Sequence, residues 1–235
     1  MPYIKAEDRT LTVLNLFTTD VAEKQDLLLG EMRRIVDTAA FPGWISSTVH
    51  SGEEKFGTAN FIQWRSGKDL ELRYAGDEFR HRTVPLFGEM TTSMRLTRNE
   101  VVYTQRHPSL GDVTEISPDR DDYTVIEFYG VAEENQDELV DTLGPSHDWL
   151  LDTPGYRSHT VLRGLGARGY DGAFVLAYSQ WDDKESYDAY RAQPEAERPA
   201  GRVSTQARVD ALATSYDWNT YRVVHTRSAS DSTPA

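Results

Sequence analysis

The chain has 235 residues, 38% hydrophobic and 27% charged, and a formal charge of −13. The length suits one large domain or two small ones. The acidic balance argues against nucleic acid and anionic membranes as partners, because phosphate recognition needs clustered positive charge. The absence of cysteine excludes disulfides, thiolate nucleophiles and sulfur-ligated metals. The polar start and the lack of an apolar run of about 20 residues predict a cytoplasmic protein.

An internal repeat organises the chain. Three motifs recur in the same order: the strand-like segment 11–17 as 123–129, the Pro-Gly-aromatic turn 42–44 as 154–156, and Gln63-Trp64 as Gln180-Trp181. The offset is 112 residues at the first two motifs and 117 at the third. The second copy therefore has a longer loop before its tryptophan, and the pattern indicates a duplication.

Each copy reads β-α-β-β-α-β. The elements expected in the first copy are a strand at 11–17, a helix at Val21–Ala39, strands at 44–50 and Thr58–Arg65, helical turns at Lys68–Phe87 and a strand at Asn99–Thr104. This order predicts an α+β fold of two tandem ferredoxin-like domains. Each domain leaves one sheet face bare, so we expect the two faces to cover each other as an intramolecular dimeric α/β-barrel that encloses a ligand cavity.

The expected boundaries follow from the repeat and from the polar segment between the copies. They are an N-terminal domain at 1–114, a linker at 115–122, a C-terminal domain at 123–226 and a flexible tail at 227–235.

Two sequence features, a glycine-rich motif and the histidines, give little support for a bound dinucleotide or metal. The segment 164–169 spells the dinucleotide fingerprint Gly-Leu-Gly-Ala-Arg-Gly, but a strand follows it where the motif requires a helix. The six histidines show no paired ligand spacing, so we expect no metal site.

The positions where the copies differ suggest the site. With alternating strand faces, Asn60 and Trp64 share one side of their strand, and Trp44 and His50 share one side of theirs. The second copy has Leu162 and Ala177 in place of His50 and Asn60. An amide and an imidazole beside an indole could hold a phenol or quinone and stabilise its oxyanion.

The two tryptophans of the repeat, Trp64 and Trp181, fit equally well as core anchors. In the second copy His159 lies on the same strand face as Arg157 and Arg163, and these could bind a phenolate or form a solvated face. The sequence leaves open which copy holds the active site.

The Pro-Gly-aromatic turn followed by Asn60-Phe61-Ile62-Gln63-Trp64-Arg65-Ser66 resembles the antibiotic biosynthesis monooxygenase family. In its anthrone-oxidising members an Asn and a Trp four residues later line the substrate site, which implies Asn60 and Trp64 here. The second copy has Ala177 at the Asn position, so an equivalent second site is in doubt.

The tandem form is similar to the ring-opening oxygenases of jadomycin, gilvocarcin and kinamycin biosynthesis. That resemblance implies O2-dependent C–C cleavage, opening the B ring of an angucycline-type aromatic polyketide. It also implies reduced FAD or FMN as a transient co-substrate, a separate flavin reductase that supplies it, and no metal.

Residue roles follow as hypotheses. The catalytic set comprises His50 or His81 as base, Asn60 for the developing oxygen charge, and Trp64. The substrate-binding set comprises Trp44, Arg73, Tyr178, Trp181 and His159.

Four other functions stay open. They are a cofactor-independent anthrone- or quinone-forming monooxygenase, a haem-degrading oxygenase using Asn15, Arg73 and His81, a polyketide cyclase, and a non-catalytic aromatic-ligand-binding barrel. A homodimer of the fused pair is also left open.

Overall fold

The computed structural model describes residues 1–232 of the chain. The first half contains, in order, β1 (Tyr3–Ile4), β2 (Leu11–Thr18), α1 (Ala22–Asp37), β3 (Trp44–Gly52), β4 (Gly57–Trp64), α2 (Gly67–Ala75), α3 (Val84–Met90) and β5 (Ser93–Arg106). The second half contains β6 (Thr114–Glu115), β7 (Tyr123–Val131), α4 (Gln136–Leu143), β8 (Tyr156–Arg168), β9 (Ala173–Trp181), α5 (Lys184–Ala192), α6 (Ala200–Leu212) and β10 (Ala213–Ser228). A π-helical turn, Phe79–Thr83, leads into α3, and a 3-10 segment, Pro145–Asp152, follows α4.

Local sequence explains where α1 ends and β3 begins. The buried side chains of α1 include Leu28, Met32 and Val36, which recur at helical spacing on the face that packs against the sheet. The Pro42-Gly43 turn then reverses the chain. Gly43 has φ +77°, and a Cβ there would lie 2.2 Å from the Asp69 carboxyl carbon, so only glycine fits.

The eight long strands close into one barrel in the order β10-β3-β4-β2-β5-β8-β9-β7. Each half supplies four neighbouring strands, and the halves join where β5 pairs with β8 and β10 pairs with β3. All eight pairings are antiparallel. This arrangement confirms the predicted fold of two ferredoxin-like units in one barrel.

The inside of the barrel is packed with side chains. A buried cluster from both halves includes Leu14, Phe61, Leu162 and Tyr178, each fully protected from solvent. The middle of the barrel is thus filled where a ligand cavity was expected, and a small space of about 40 Å³ at one end is lined by residues of both halves such as Leu16, Phe128 and Tyr221. The helices lie on the outer faces, and another space lies between the sheet and the helices of the first half.

A short ribbon of β1 and β6 is held to the barrel by a repeated contact. Gln63 donates its amide hydrogen to the Tyr3 carbonyl at 3.0 Å, and Gln180 donates to the Glu115 carbonyl at 2.9 Å. The glutamine of each Gln-Trp motif thus anchors this ribbon.

The C-terminal strand extends further than the expected boundary at 226. β10 continues to Ser228, which pairs with Ser46 of β3. The last part of the expected tail, 233–235, lies outside the described residues. Among the residues that are described, none belongs to a helix long and apolar enough to span a bilayer.

Candidate functional site

A pocket opens between the sheet and helices of the first half. Strands β2, β3 and β4 form its floor, and α1, α2, the π-helical turn and α3 form its walls. Its lining residues are Asn15, Phe17, Met32, Ile35, Val36, Ala39, Phe41, Trp44, Ser47, Asn60, Ile62, Trp64, Leu70, Arg73, Tyr74, Phe79, Thr83 and Phe87. The lining is mainly apolar and aromatic with a few polar groups, which is the usual composition of a small-molecule site.

The floor of the pocket carries two asparagines side by side. Asn15 of β2 and Asn60 of β4 are register partners in neighbouring antiparallel strands, so their side chains leave the same face of the sheet. Each amide offers an oxygen acceptor and an NH2 donor. The pair can therefore hold either a hydroxyl or an oxyanion of a ligand.

Three polar atoms of the pocket have no partner among the described residues. They are Asn15 Oδ1, Asn60 Oδ1 and Trp64 Nε1, and all are buried. By contrast, the indole nitrogen of Trp44 donates to Ser47 Oγ at 2.9 Å. Unsatisfied buried polar atoms cost free energy and are rare in folded proteins. Twelve other such atoms occur elsewhere among the described residues, so the significance of these three is that they lie together in an apolar pocket, where a polar ligand would complete their hydrogen bonds.

The pocket wall from α2 carries the ionisable groups. The Arg73 guanidinium lies 4.1 Å from the centre of the Phe41 ring and pairs with Glu78 at 3.2 Å. Burial lowers the pKa of Arg73. Burial also raises the pKa of the Tyr74 hydroxyl, although its contact with Asn15 acts in the opposite direction. The site therefore combines a cation with a neutral phenol.

The pocket volume is about 70 Å³, which is smaller than the roughly 300–1,000 Å³ of most small-molecule sites, and its mouth is open to solvent. A ligand of several fused rings would have to occupy the mouth as well as the enclosed part.

Four predicted site residues meet in this pocket. Trp44, Asn60, Trp64 and Arg73 all line it, and they come from β3, β4 and α2. The other five predicted residues lie elsewhere, for reasons that differ from residue to residue.

His50 and Tyr178 lie inside the barrel, on the opposite sheet face from Asn60. A β-bulge between Trp44 and Ser46 reverses the alternation along β3, so that Trp44 faces the pocket and His50 faces inward. His50 is fully buried, and its Nε2 lies 3.0 Å from the Tyr178 hydroxyl. The structure therefore does not bring His50 or Tyr178 to this pocket, and the roles predicted for them as base and substrate contact are not supported by its geometry.

His81 lies on the π-helical turn with 76% of its side chain exposed, and its nearest carboxylate is Asp77 at 3.9 Å. It does not line the pocket, so its assignment as a base is not supported by the geometry. No histidine among residues 1–232 lines this pocket.

His159 and Trp181 belong to the second half. His159 Nε2 lies 2.8 Å from the Leu143 carbonyl, and its ring stacks on His147. Burial lowers the pKa of His159 to about 3, so the ring is neutral near pH 7. Trp181 is 2% exposed, and its indole nitrogen donates to Ser179 Oγ at 3.2 Å. Both side chains are buried in the second half and do not line the pocket, so its geometry does not support the prediction that they bind substrate.

The equivalent space in the second half is filled by aromatic rings. The offset of 117 residues aligns α5 with α2, which places Tyr187 and Tyr190 where the first half has Leu70 and Arg73. The centres of these two rings lie 5.4 and 4.8 Å from that of Trp181. The substitution of two tyrosines removes the room that the first half keeps open.

The floor of the second half has also changed. Glu127 replaces Asn15 and pairs with Ala177, which replaces Asn60. The Glu127 carboxylate accepts a hydrogen bond from the Tyr216 hydroxyl at 2.8 Å, and burial raises its pKa. The pair of amides is therefore present in the first half and replaced in the second.

The glycine-rich segment 164–169 lies in β8 and the turn after it, and no helix N-terminus meets it. The structure therefore lacks the strand–turn–helix that a dinucleotide needs at this motif.

Sequence reasoning missed two pocket residues. Asn15 entered only through the haem-degrading alternative, and Tyr74 was not considered. A polar residue within the apolar segment Leu14-Asn15-Leu16 was a usable signal for the first. The spacing of Leu70, Arg73 and Tyr74, which places them on one face of a helix, was a usable signal for the second.

The match to a known protein family falls in the second half of the chain. The family model described as antibiotic biosynthesis monooxygenase matches residues 122–199. The chain is also 35% identical over 80 residues to the tetracenomycin-F1 monooxygenase of Streptomyces glaucescens, which covers 34% of this chain and 67% of that protein. The half that matches the family model is thus the half without the open pocket.

The expectation of reduced FAD or FMN is wrong. The solved structure of SnoaB from Streptomyces nogalater, described as a cofactor-independent oxygenase, matches 49% of this chain and 99% of its own at 19% identity and a TM-score of 0.32.

A solved structure of an anthrone oxidase-like protein matches over the whole barrel. It is 56% identical, covers 97% of each chain and superposes with a TM-score of 0.95. Together with the tetracenomycin-F1 monooxygenase and the family model, this likeness extends over both halves. The chain belongs to the antibiotic biosynthesis monooxygenase family.

Proposed function

We propose that this chain is an O2-dependent oxygenase that oxidises a polycyclic aromatic polyketide in the pocket of its first half. Family membership and the names of the two relatives above support the class of reaction and of substrate. The observation that carries the assignment to this pocket is the set of three unpartnered polar atoms on Asn15, Asn60 and Trp64.

The substrate is its own reductant in this proposal. Triplet O2 reacts slowly with closed-shell molecules but accepts one electron from an electron-rich anion such as a phenolate or the enolate of an anthrone. Arg73 favours the anionic form by its charge, although its ion pair with Glu78 offsets part of that effect. The wall of Trp44 and Phe41 supplies flat apolar surface for the rings.

Asn60 and Trp64 act on the oxygen atoms of the reaction. The Trp64 indole N–H and the amide N–H groups of Asn60 and Asn15 donate to the substrate oxyanion, and then to the peroxide formed when the radical pair combines. The amide oxygens accept from a neighbouring phenol hydroxyl. The protein thus contributes orientation and hydrogen bonds, while the substrate supplies the electrons.

The finer proposal is C–C cleavage that opens the B ring of an angucycline. Its support is the tandem organisation that the chain shares with the ring-opening oxygenases. With no external reductant, both atoms of O2 stay in the product, and cleavage beside a hydroxylated ring carbon leaves a carboxylate and a carbonyl group.

Anthrone oxidation to a quinone is the second candidate, favoured by the 56% identity to an anthrone oxidase-like protein. In that reaction the anthrone methylene becomes a carbonyl with one oxygen atom, and the other atom leaves as water.

The test is oxygen uptake by the purified protein without flavin, with dithranol (a dihydroxyanthrone) and dehydrorabelomycin as substrates under 18O2. Uptake that exceeds the uncatalysed rate is expected. Two labelled atoms in a ring-opened acid indicate cleavage, and one labelled atom in a quinone indicates anthrone oxidation. Binding without uptake would contradict the proposal and favour a ligand-binding barrel. Turnover under argon would favour a cyclase.

The haem-degrading alternative requires a histidine in the site, but His81 is exposed and lies outside the pocket. A Soret band on adding haem would restore it. A homodimer of the fused chain stays a prediction, for which sedimentation is the measurement.

A further inference from the structure

A second cleft lies beside the pocket, at the junction of the two halves. It is lined by Leu70, Glu71, Tyr74, Ala75, Arg80, Leu96, Arg98, Ala167 and Arg168, and its volume is about 260 Å³. We call it the arginine cleft because Arg80, Arg98 and Arg168 all line it. Arg98 comes from β5 and Arg168 from β8, so both halves are needed to build it.

The positive charge of the arginine cleft is not neutralised by the protein. Arg73 is paired with Glu78 and Arg95 with Asp217, whereas Arg80, Arg98 and Arg168 form no ion pair with a carboxylate of residues 1–232. Glu71 is the one acidic residue of the lining. The three arginines are exposed and lie together in a chain of charge −13, and the planar fork of a guanidinium group matches a carboxylate.

The arginine cleft and the pocket share a wall. Leu70 and Tyr74 line both spaces. The Tyr74 ring stacks on Phe79 with centroids 4.3 Å apart, and the Arg168 guanidinium lies 5.3 Å from the Tyr74 ring centre. An anionic substituent of a ligand in the pocket would therefore reach these arginines only past the Tyr74 side chain.

The glycine-rich segment 164–169 has a role in this cleft. Gly166 faces Arg98 across the β5–β8 ladder, and a Cβ on Gly166 would lie 3.1 Å from the Arg98 guanidinium nitrogen. Gly169 has φ +84°, and a Cβ there would meet the Met94 carbonyl oxygen at 2.0 Å. Glycine at both positions lets the strands approach while Arg98 and Arg168 remain at the cleft.

We propose that the arginine cleft binds the carboxylate of an aromatic acid whose rings occupy the pocket. This inference rests on the proposed function and narrows its ligands to carboxylated polycyclic aromatics. Such a carboxylate is present on a polyketide released as the free acid, and it forms during ring opening. The second half, whose own pocket is filled, then contributes to ligand choice through Arg168.

Two dyes test the inference without turnover. Rhein is a dihydroxyanthraquinone carboxylic acid, and danthron is the same ring system without the carboxyl group. Binding of each to the full chain is measured by calorimetry at neutral pH and low salt. The native protein is expected to bind rhein about tenfold or more tightly than danthron, because charge-assisted hydrogen bonds stabilise the complex.

The variant Arg98→Gln/Arg168→Gln should lose this preference and keep its affinity for danthron. Arg33→Gln/Arg208→Gln removes the same charge from exposed positions outside the cleft and should keep the preference. Equal binding of both dyes to the native protein would overturn the inference, as would a preference that survives in the cleft variant or is lost equally in the control.

The proposed function fails in a different way. If neither dye binds, or if Asn60→Ala leaves danthron affinity and turnover unchanged, the pocket itself is misassigned.

Discussion

The two halves of the barrel share one fold and one Gln-Trp motif, yet the space between sheet and helices that is a pocket in the first half is filled by tyrosine rings in the second. Trp64 faces that pocket with its indole N–H unpartnered, whereas Trp181 is covered by Tyr187 and Tyr190 and donates to Ser179. The difference arises from a few substitutions on a conserved framework. The first half thus has the polar floor, whereas the second half contributes Arg168 to the arginine cleft.

The largest effect is expected at the polar floor, which the second half lacks. Asn60→Ala should lower kcat/KM by about 10²- to 10³-fold, the usual loss when one oxyanion donor is removed. Because Asn60 Oδ1 is buried without a partner, the melting temperature should stay the same or rise. Oxygen uptake and thermal denaturation measure the two effects. Unchanged turnover would remove Asn60 from the site.

The two tryptophans provide a matched pair. Trp64→Phe should reduce kcat/KM by about 10- to 100-fold with a small change in stability, because one donor is lost from the site. Trp181→Phe should lower the free energy of unfolding by about 1–3 kcal/mol, because a fully packed ring is replaced by a smaller one.

Turnover by the Trp181→Phe protein should stay within about twofold of the native value. A reversed result, with Trp181→Phe inactive and Trp64→Phe active, would place the chemistry in the second half.

The smallest effect on activity is expected inside the barrel, where the second half has Leu162 in place of His50. Burial lowers the pKa of His50 to about 4, from an ordinary value of about 6.5. The folded protein therefore binds fewer protons than the unfolded chain between these values. Stability is fully present above the ordinary pKa and falls as the pH decreases towards 4.

Between about pH 7 and pH 5, His50→Gln should lose roughly 2 kcal/mol less unfolding free energy than the native protein does. Its turnover at neutral pH should be unchanged. Urea denaturation at the two pH values measures the first expectation. An acid sensitivity equal to the native protein's would contradict the neutral, buried state of this ring, and a large loss of turnover would restore it as a base.

The sequence was sufficient for the fold, because the chain displays its pattern of elements twice. The pocket residues came instead from positions where the two copies differ and from the resemblance to the monooxygenase family, which implied the Asn60–Trp64 pair. The placement of His50 could not be predicted in either way, because one bulged residue between Trp44 and Ser46 reverses the face of everything after it. No simple residue pattern marks that bulge.

The filling of the second half was harder to predict for another reason. Tyr187 and Tyr190 are visible in the sequence, but whether two tyrosines line a space or occupy it depends on the distance between α5 and the sheet. Packing at that level is a three-dimensional property. The same limit applies to the arginine cleft, whose members lie on a helix turn and two strands from different halves.

A crystal structure of the protein with bound danthron tests the central claim most directly. We predict that the rings lie between the first-half sheet and α1 and α2, with a ligand oxygen within hydrogen-bond distance of Asn60 or Trp64. Rings bound against Trp181, or at the end of the barrel, would contradict the assignment of the site to the first half.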